Sequence, residues 1–169
     1  MRLILSFVGF LLLVGCATLS PQTAEDVAAG TRVSTDPYAA LTVYTSAPLS
    51  VEKVGSWFNA GFALASLQAT QSKDGTDAGM LIYYNSQSWS FFSSALDLDQ
   101  TAFTVTQIER AVQSDATVTE RFIVHIPTDY LRKHTETGLN VKVYGSRGAI
   151  IVTLPAFYVR GFLTAAHLS

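Results

Sequence analysis

Between residues 41 and 154 short runs of alternating character recur, their two faces differing, with turn residues closing each run. A period of two is the spacing of a β-strand, whose successive side chains point to opposite faces, and it is incompatible with a mainly helical body of period 3.6. Leu41 and Val43 alternate with Thr42 and Tyr44. Ala63, Ala65, Leu67 and Ala69 share one face of a strand at 62–70, with Phe62, Leu64, Ser66 and Gln68 on the other, and residues 55–59 lead less regularly into it. Residues 80–84 form a continuous apolar run, as in a buried strand. In a strand at 89–98, Phe91 and Phe92 point to opposite faces, which suits a central position. Further strands are expected at 102–113, at 118–126 with Val118, Phe122, Val124 and Ile126 on one face, at 139–144 and at 149–154.

Turn chemistry separates these runs: Lys73-Asp-Gly-Thr-Asp77, Asn85-Ser-Gln-Ser88, Ser114-Asp-Ala116 and Gly145-Ser-Arg-Gly148. Turns this short imply antiparallel pairing of each strand with the next. Two short helices are expected late in the chain. One runs from Asp129 to His134, with Thr128 as its N-cap and Gly138 as its stop. The other follows Pro155, with Tyr158, Phe162 and Ala165 in its apolar stripe. The expected fold class is therefore mostly β: an antiparallel β-sandwich of about eight strands with two short helices in its C-terminal half, and a partly open β-barrel as the alternative.

The other end of the chain is of a different kind. Met1-Arg2 carries one positive charge, and residues 3–14 are apolar except for Ser6 and Gly9. That run has the length of a secretory signal and falls short of the roughly 20 residues that cross a bilayer. It ends in Leu13-Val14-Gly15-Cys16, and Cys16 is the only cysteine of the 169 residues. The stretch resembles the lipobox of bacterial lipoproteins. The resemblance implies cleavage between Gly15 and Cys16, acylation of Cys16 (two ester-linked chains and usually a third on the amine), and, because Ala17 rather than Asp follows, export to the outer membrane facing the periplasm. Burying acyl chain contributes about 0.8 kcal/mol per CH₂, so two or more chains hold stably where one holds marginally.

Removal of residues 1–15 takes Arg2 away and leaves 10 basic against 13 acidic residues, a net charge of −3. The balance is too mild and too mixed for a nucleic-acid partner. With Cys16 acylated no thiol is left, so the body folds without disulfides and depends on apolar burial. Residues 16–37, small and polar between Pro21 and Pro37, read as a lipidated N-terminus and flexible tether of roughly 25 Å root-mean-square span. Thr23 to Gly30 inside it has a cap, an acidic first turn and a closing Gly, enough for one or two helical turns that would not be stable alone. Residues 38–169 are the single domain.

The C-terminal third, Val141-Lys-Val-Tyr-Gly-Ser146, a second strand, then Leu154-Pro-Ala-Phe-Tyr158 and Gly161-Phe-Leu163, resembles the ends of small, β-rich, uncharacterised bacterial lipoproteins. Those motifs are structural, and no catalytic residue is carried over by them.

Chemistry-bearing groups are sparse. His125, His134 and His167 lack the short-range partners of a metal site, and no metal or other cofactor is expected. Asp74 with Asp77, and Asp97 with Asp99, read as turn residues rather than calcium loops. No Gly-x-Ser-x-Gly elbow and no phosphate-cradling Gly loop is present. The aromatic group Tyr83, Tyr84, Trp89, Phe91 and Phe92 reads mainly as core, with Tyr84 and Trp89, flanking a turn, as the possible ligand or partner surface. The functional expectation is a membrane-anchored, non-enzymatic structural or protein-interaction module of the cell envelope, contacting an envelope protein or peptidoglycan. A small-ligand or glycan-binding module is the alternative, and an envelope hydrolase with carboxylates unrecognised in the sequence the third reading.

Overall fold

A computed structural model describes residues 21–51 and 61–169. The expected signal peptide (residues 1–15), with Gly15 and Cys16 at its expected cleavage site, and the 55–59 segment lie outside these residues. Thirteen elements follow one another among those described: α1 (Ala24–Gly30), β1 (Arg32–Asp36), β2 (Leu41–Thr45), β3 (Leu49–Val51), β4 (Gly61–Ser72), β5 (Gly75–Ser86), β6 (Phe92–Asp97), β7 (Ala102–Val112), β8 (Val118–His125), α2 (Thr128–Lys133), β9 (Leu139–Gly145), β10 (Gly148–Leu154) and α3 (Ala156–Ala165).

The strands hydrogen-bond in one path, β1-β2-β4-β5-β8-β7-β6-β9-β10, with β3 added to the edge of β4. Every pairing is antiparallel. The sheet curls into a half-barrel, and β10 comes round against β3. Two separate facing sheets, the sandwich expected above, are not what this path draws; the partly open barrel describes it better. Alternation explains why both were open. It says that one face of each strand is apolar, and a curled sheet buries that face as well as a stacked pair does.

The inward row of β4, Ala63, Ala65, Leu67 and Ala69, is buried as its spacing requires, and so are Val118, Phe122, Val124 and Ile126. Facing them in the same core are Tyr158, Val159, Phe162 and Leu163 of α3. The hollow of the half-barrel is thus filled by side chains. The turns at Gly75 (φ 142°) and Gly148 (φ 154°) use glycine in the left-handed region, where a Cβ would be strained.

Three expectations are corrected. The tether does not reach Pro37: Pro21 is buried, α1 packs on α3 through the fully buried Val27, and β1 pairs with β2 from Arg32 opposite Thr45 to Asp36 opposite Leu41. Asp36 makes that hairpin, its Oδ1 accepting from the N–H groups of Tyr38 and Ala39 at 2.9 and 3.2 Å. Composition misleads here because β1 is an edge strand with all five residues exposed, so it carries no apolar row. Residues 85–88 do not fold β5 back onto the next strand. β5 lies between β4 and β8, while β6 crosses over to lie between β7 and β9. Thr128 is the first residue of α2 rather than its cap; Pro127 precedes the helix and no side chain caps it.

α1 is held by its own sequence and by α3. Thr23 and Asp26 form a capping box, with the Asp26 N–H donating to Thr23 Oγ1 and the Thr23 N–H to Asp26 Oδ2, each at 3.1 Å. The N–H of Gln22, then the Thr23 hydroxyl, hold the Asp26 carboxyl below its ordinary value.

Tyr158 ties α3 to the β2–β3 corner. The Leu67 N–H donates to Ser46 Oγ (2.8 Å), Ser46 Oγ–H to the Tyr158 hydroxyl (2.7 Å), and Tyr158 O–H to the Ala47 carbonyl. Burial pushes the phenol up to about 12, against the lowering influence of Ser46. The protonated form is the one that the fold favours. Its contribution is complete below about pH 10 and is lost as pH rises through about 12, amounting to about 3 kcal/mol. Resistance to urea unfolding should therefore fall between pH 10 and pH 12, and Tyr158→Phe should flatten that slope while costing about 1–3 kcal/mol at neutral pH. An equal slope in the variant would remove Tyr158 as its origin.

Candidate functional site

Glu120 stands on the apolar face of β8, between Val118 and Phe122, and is completely buried. Its carboxylate is spent on the backbone where β5 crosses to β6. Oε1 accepts from the Ser90 N–H at 2.6 Å and the Phe91 N–H at 3.2 Å, and Oε2 accepts from the Phe91 N–H at 3.0 Å. Arg110 Nε reaches Oε2 at 3.5 Å from the side of solvent. Hydrogen bonds to an ionised acceptor are roughly twice as strong as neutral ones, and here they compensate the burial of the charge.

The crossing needs this support. Phe91 has φ 53°, a left-handed conformation that is unfavourable for a bulky residue. The strain turns its ring outward, 40% exposed, while Phe92 turns inward. Trp89, half-buried, lies 6.2 Å from the Phe91 ring at 38°. The Arg110 guanidinium sits 4.9 Å above the Phe91 ring. Behind the crossing, Gly145 lets the β9–β10 turn approach: a Cβ there would stand 2.3 Å from the Ser90 carbonyl oxygen. Ser146 Oγ donates to that oxygen at 3.4 Å. Rigid aromatics with an arginine are the residue types that carry binding energy at interfaces.

Tyr84 does not share this surface. It is 4% exposed and packs edge-on to Phe92 at 4.9 Å, Phe92 in turn meeting Phe122 at 4.8 Å. The expectation that both Tyr84 and Trp89 flank a surface turn is corrected for Tyr84, because β5 is a central strand and Tyr84 has the inward parity of Ile82 and Met80. Phe91 and Arg110 take its place beside Trp89. The signal for Glu120 was in the sequence: a carboxylate on the apolar parity of 118–126 is a buried charge, and a buried charge requires donors.

The remaining ionisable groups sit elsewhere. On the outer face Asp77, His125 and Thr106 form a line, Oδ2 to Nδ1 at 3.5 Å and Nε2 to Oγ1 at 3.0 Å. Asp77 is 69% exposed, so water screens the pair and activates neither partner. His134 bonds the Tyr130 carbonyl through Nδ1 at 2.8 Å, and His167 is exposed beside Tyr44. Asp97 Oδ1 accepts from the Thr101 N–H at 2.7 Å, closing its turn; Asp74 lies in the β4–β5 turn, whereas Asp77 is within β5, opposite Thr70, and not in the turn that its sequence suggested. Among the described residues no three His, Cys, Asp or Glu side chains are grouped to hold a metal ion. No helix among them is long and apolar enough to cross a membrane.

No protein-family model matches the chain, and no curated protein or solved structure is significantly similar to it.

Proposed function

We propose that this protein is a lipoprotein of the bacterial outer membrane, anchored through acyl chains on Cys16, and that its domain works in the periplasm as a non-enzymatic module contacting other envelope components. Leu13-Val14-Gly15-Cys16 supports the anchor. The observation that carries the reading further is the buried Pro21, where the fold begins only five residues after Cys16. Five Cα steps span at most about 18 Å. A domain on so short a connection is held close to its bilayer, within reach of membrane-bound partners and with little freedom to search the periplasm.

The filled interior supports contact through the surface rather than through an enclosed ligand. Trp89, Phe91 and Arg110 are the residues we assign to that contact. The glycan-binding alternative uses the same pair, the half-buried Trp89 and the 40% exposed Phe91, aromatic rings being as suited to a pyranose as to a peptide side chain.

Cys16→Ser is expected to move the protein from the membrane to the soluble periplasmic fraction; unchanged membrane retention would refute the anchor. For the contact, crosslinking in native membranes should yield a discrete partner band that Phe91→Ala reduces several-fold. Recovery as a solitary species under gentle extraction would count against a protein partner, and silence on a glycan array would dispose of the alternative.

A further inference from the structure

The first strand, β1, hydrogen-bonds one neighbour among the described residues, β2, and its other edge is open. All five of its residues are exposed, Val33 to 57%, and Tyr38 in the turn that follows is fully exposed. The register tells which backbone groups that edge offers. The Ser46 N–H donates to the Leu67 carbonyl at 2.9 Å, toward β4. Residues of a paired strand alternate in the side to which they bond, so Tyr44 and Thr42 also face β4, whereas Thr45, Val43 and Leu41 face β1. Their partners Arg32, Ser34 and Asp36 are therefore the residues that bond β2. The N–H and C=O groups of Val33 and Thr35 point out of the sheet.

Charge and symmetry select what pairs with them. Arg32 and Asp36 stand at equal distances on either side of Ser34, and Pro37, which has no N–H, ends the run. Antiparallel pairing with a second β1 centred on Ser34 sets Val33 opposite Thr35 of the second copy. Both carry outward groups, so backbone hydrogen bonds form on each side of the centre. The same register places each Arg32 opposite Asp36 of the other copy. Arg32 has no ion-pair or hydrogen-bond partner among the described residues. Asp36 spends Oδ1 on its turn and has Oδ2 left over. Registers centred on Val33 or Thr35 also bring outward groups together, but they separate the opposite charges, and the second sets Pro37 against Val33. An edge of one charge sign repels its own copy; this edge attracts it. We propose that β1 is a self-association edge, pairing about Ser34 with β1 of a second copy of this chain so that the sheet continues across a two-fold axis. The contact is small and therefore weak in dilute solution. Tethering on one membrane would raise its effective concentration, and that gain alone rests on the anchored reading.

The test is disulfide trapping in the full chain carrying Cys16→Ser, so that an introduced cysteine is the only thiol and the anchor has no part in the outcome. Opposed residues that do not bond each other have Cα atoms about 4.5 Å apart, and those that do about 5.5 Å. Both lie within the span of about 4.4–6.8 Å that a disulfide bridges, whereas diagonal neighbours at about 7–8 Å lie beyond it. Under mild diamide oxidation Ser34→Cys should therefore form the covalent dimer several-fold faster than Val33→Cys or Thr35→Cys alone. Mixing the Val33→Cys and Thr35→Cys chains should speed their crosslinking several-fold. Arg32→Glu, added to Ser34→Cys, opposes like charges at both ends and should slow its dimer at least about threefold. If that variant does not fold, the comparison of the three exposed positions and the mixture decides. Equal rates at the three positions, no gain on mixing, or an unchanged rate in folded Arg32→Glu would each overturn the proposal.

Discussion

Replacing Glu120 with alanine is expected to cost about 3 kcal/mol or more of folding stability, measured by urea unfolding. The side chain has no exposed surface, and its removal strands two backbone N–H groups, of Ser90 and Phe91, inside the protein. Most of the loss comes from those groups and from the left-handed Phe91 they restrain, not from Arg110. That arginine is 38% exposed and its 3.5 Å approach is screened by water, so Arg110→Ala alone should cost less than about 1 kcal/mol. Glu120→Gln keeps one oxygen acceptor and should fall between the two. The functional consequence is separable: in Glu120→Gln, a loosened Phe91 should weaken partner crosslinking before the domain unfolds. A Glu120→Ala protein within about 1 kcal/mol of the parent would remove the carboxylate from the account of this crossing.

The second large effect is expected at Gly161 in α3. On an exposed helix, Gly→Ala is stabilising by about 1 kcal/mol. Here a Cβ would stand 2.3 Å from the Ala24 carbonyl oxygen and 2.7 Å from Val27 Cβ. The first of these is backbone and cannot rotate away, so α1 must move off α3. Overpacking of this sort costs about 1–3 kcal/mol and occasionally more, and exceeds the helix-propensity gain. Gly161→Ala should lower stability by about 2 kcal/mol net and speed hydrogen exchange at Val27 ahead of the sheet. A stabilised variant would mean that α1 is not docked on α3. That outcome would also lengthen the connection from Cys16 to the folded body and weaken the case for a domain held against the membrane.

Parts of this molecule were legible without coordinates because they depend on neighbours along the chain. The parity of Ala63, Ala65, Leu67 and Ala69 on β4, the turns at Gly75 and Gly148, and the start of α3 after Pro155 all follow from local period and turn chemistry. The cap and acidic first turn of α1 were legible too, but its docking was not. Seven residues with one buried valine say nothing about the glycine 134 positions later that receives it.

The wrong placement of Tyr84 came from one assumption, that residues 85–88 return the chain to its neighbour. Once β5 is flanked by β4 and β8, the inward parity of Tyr84 decides its burial, and the outer surface passes to Trp89, Phe91 and the distant Arg110. Glu120 shows the same division: its position on an apolar face announces a buried charge, yet its donors are backbone N–H groups about thirty residues away, which no side-chain pattern marks.

By itself the sequence determined a β-rich body and the inward and outward residues of most strands, since period and turns are properties of contiguous residues. Only the tertiary structure decided that the strands form one curled sheet with β6 displaced to the far side of β7, that α1 and β1 belong to the fold, and that Glu120 holds Phe91 outward. Those outcomes are pairings across tens of residues, and an apolar face specifies that it must be covered without specifying by what.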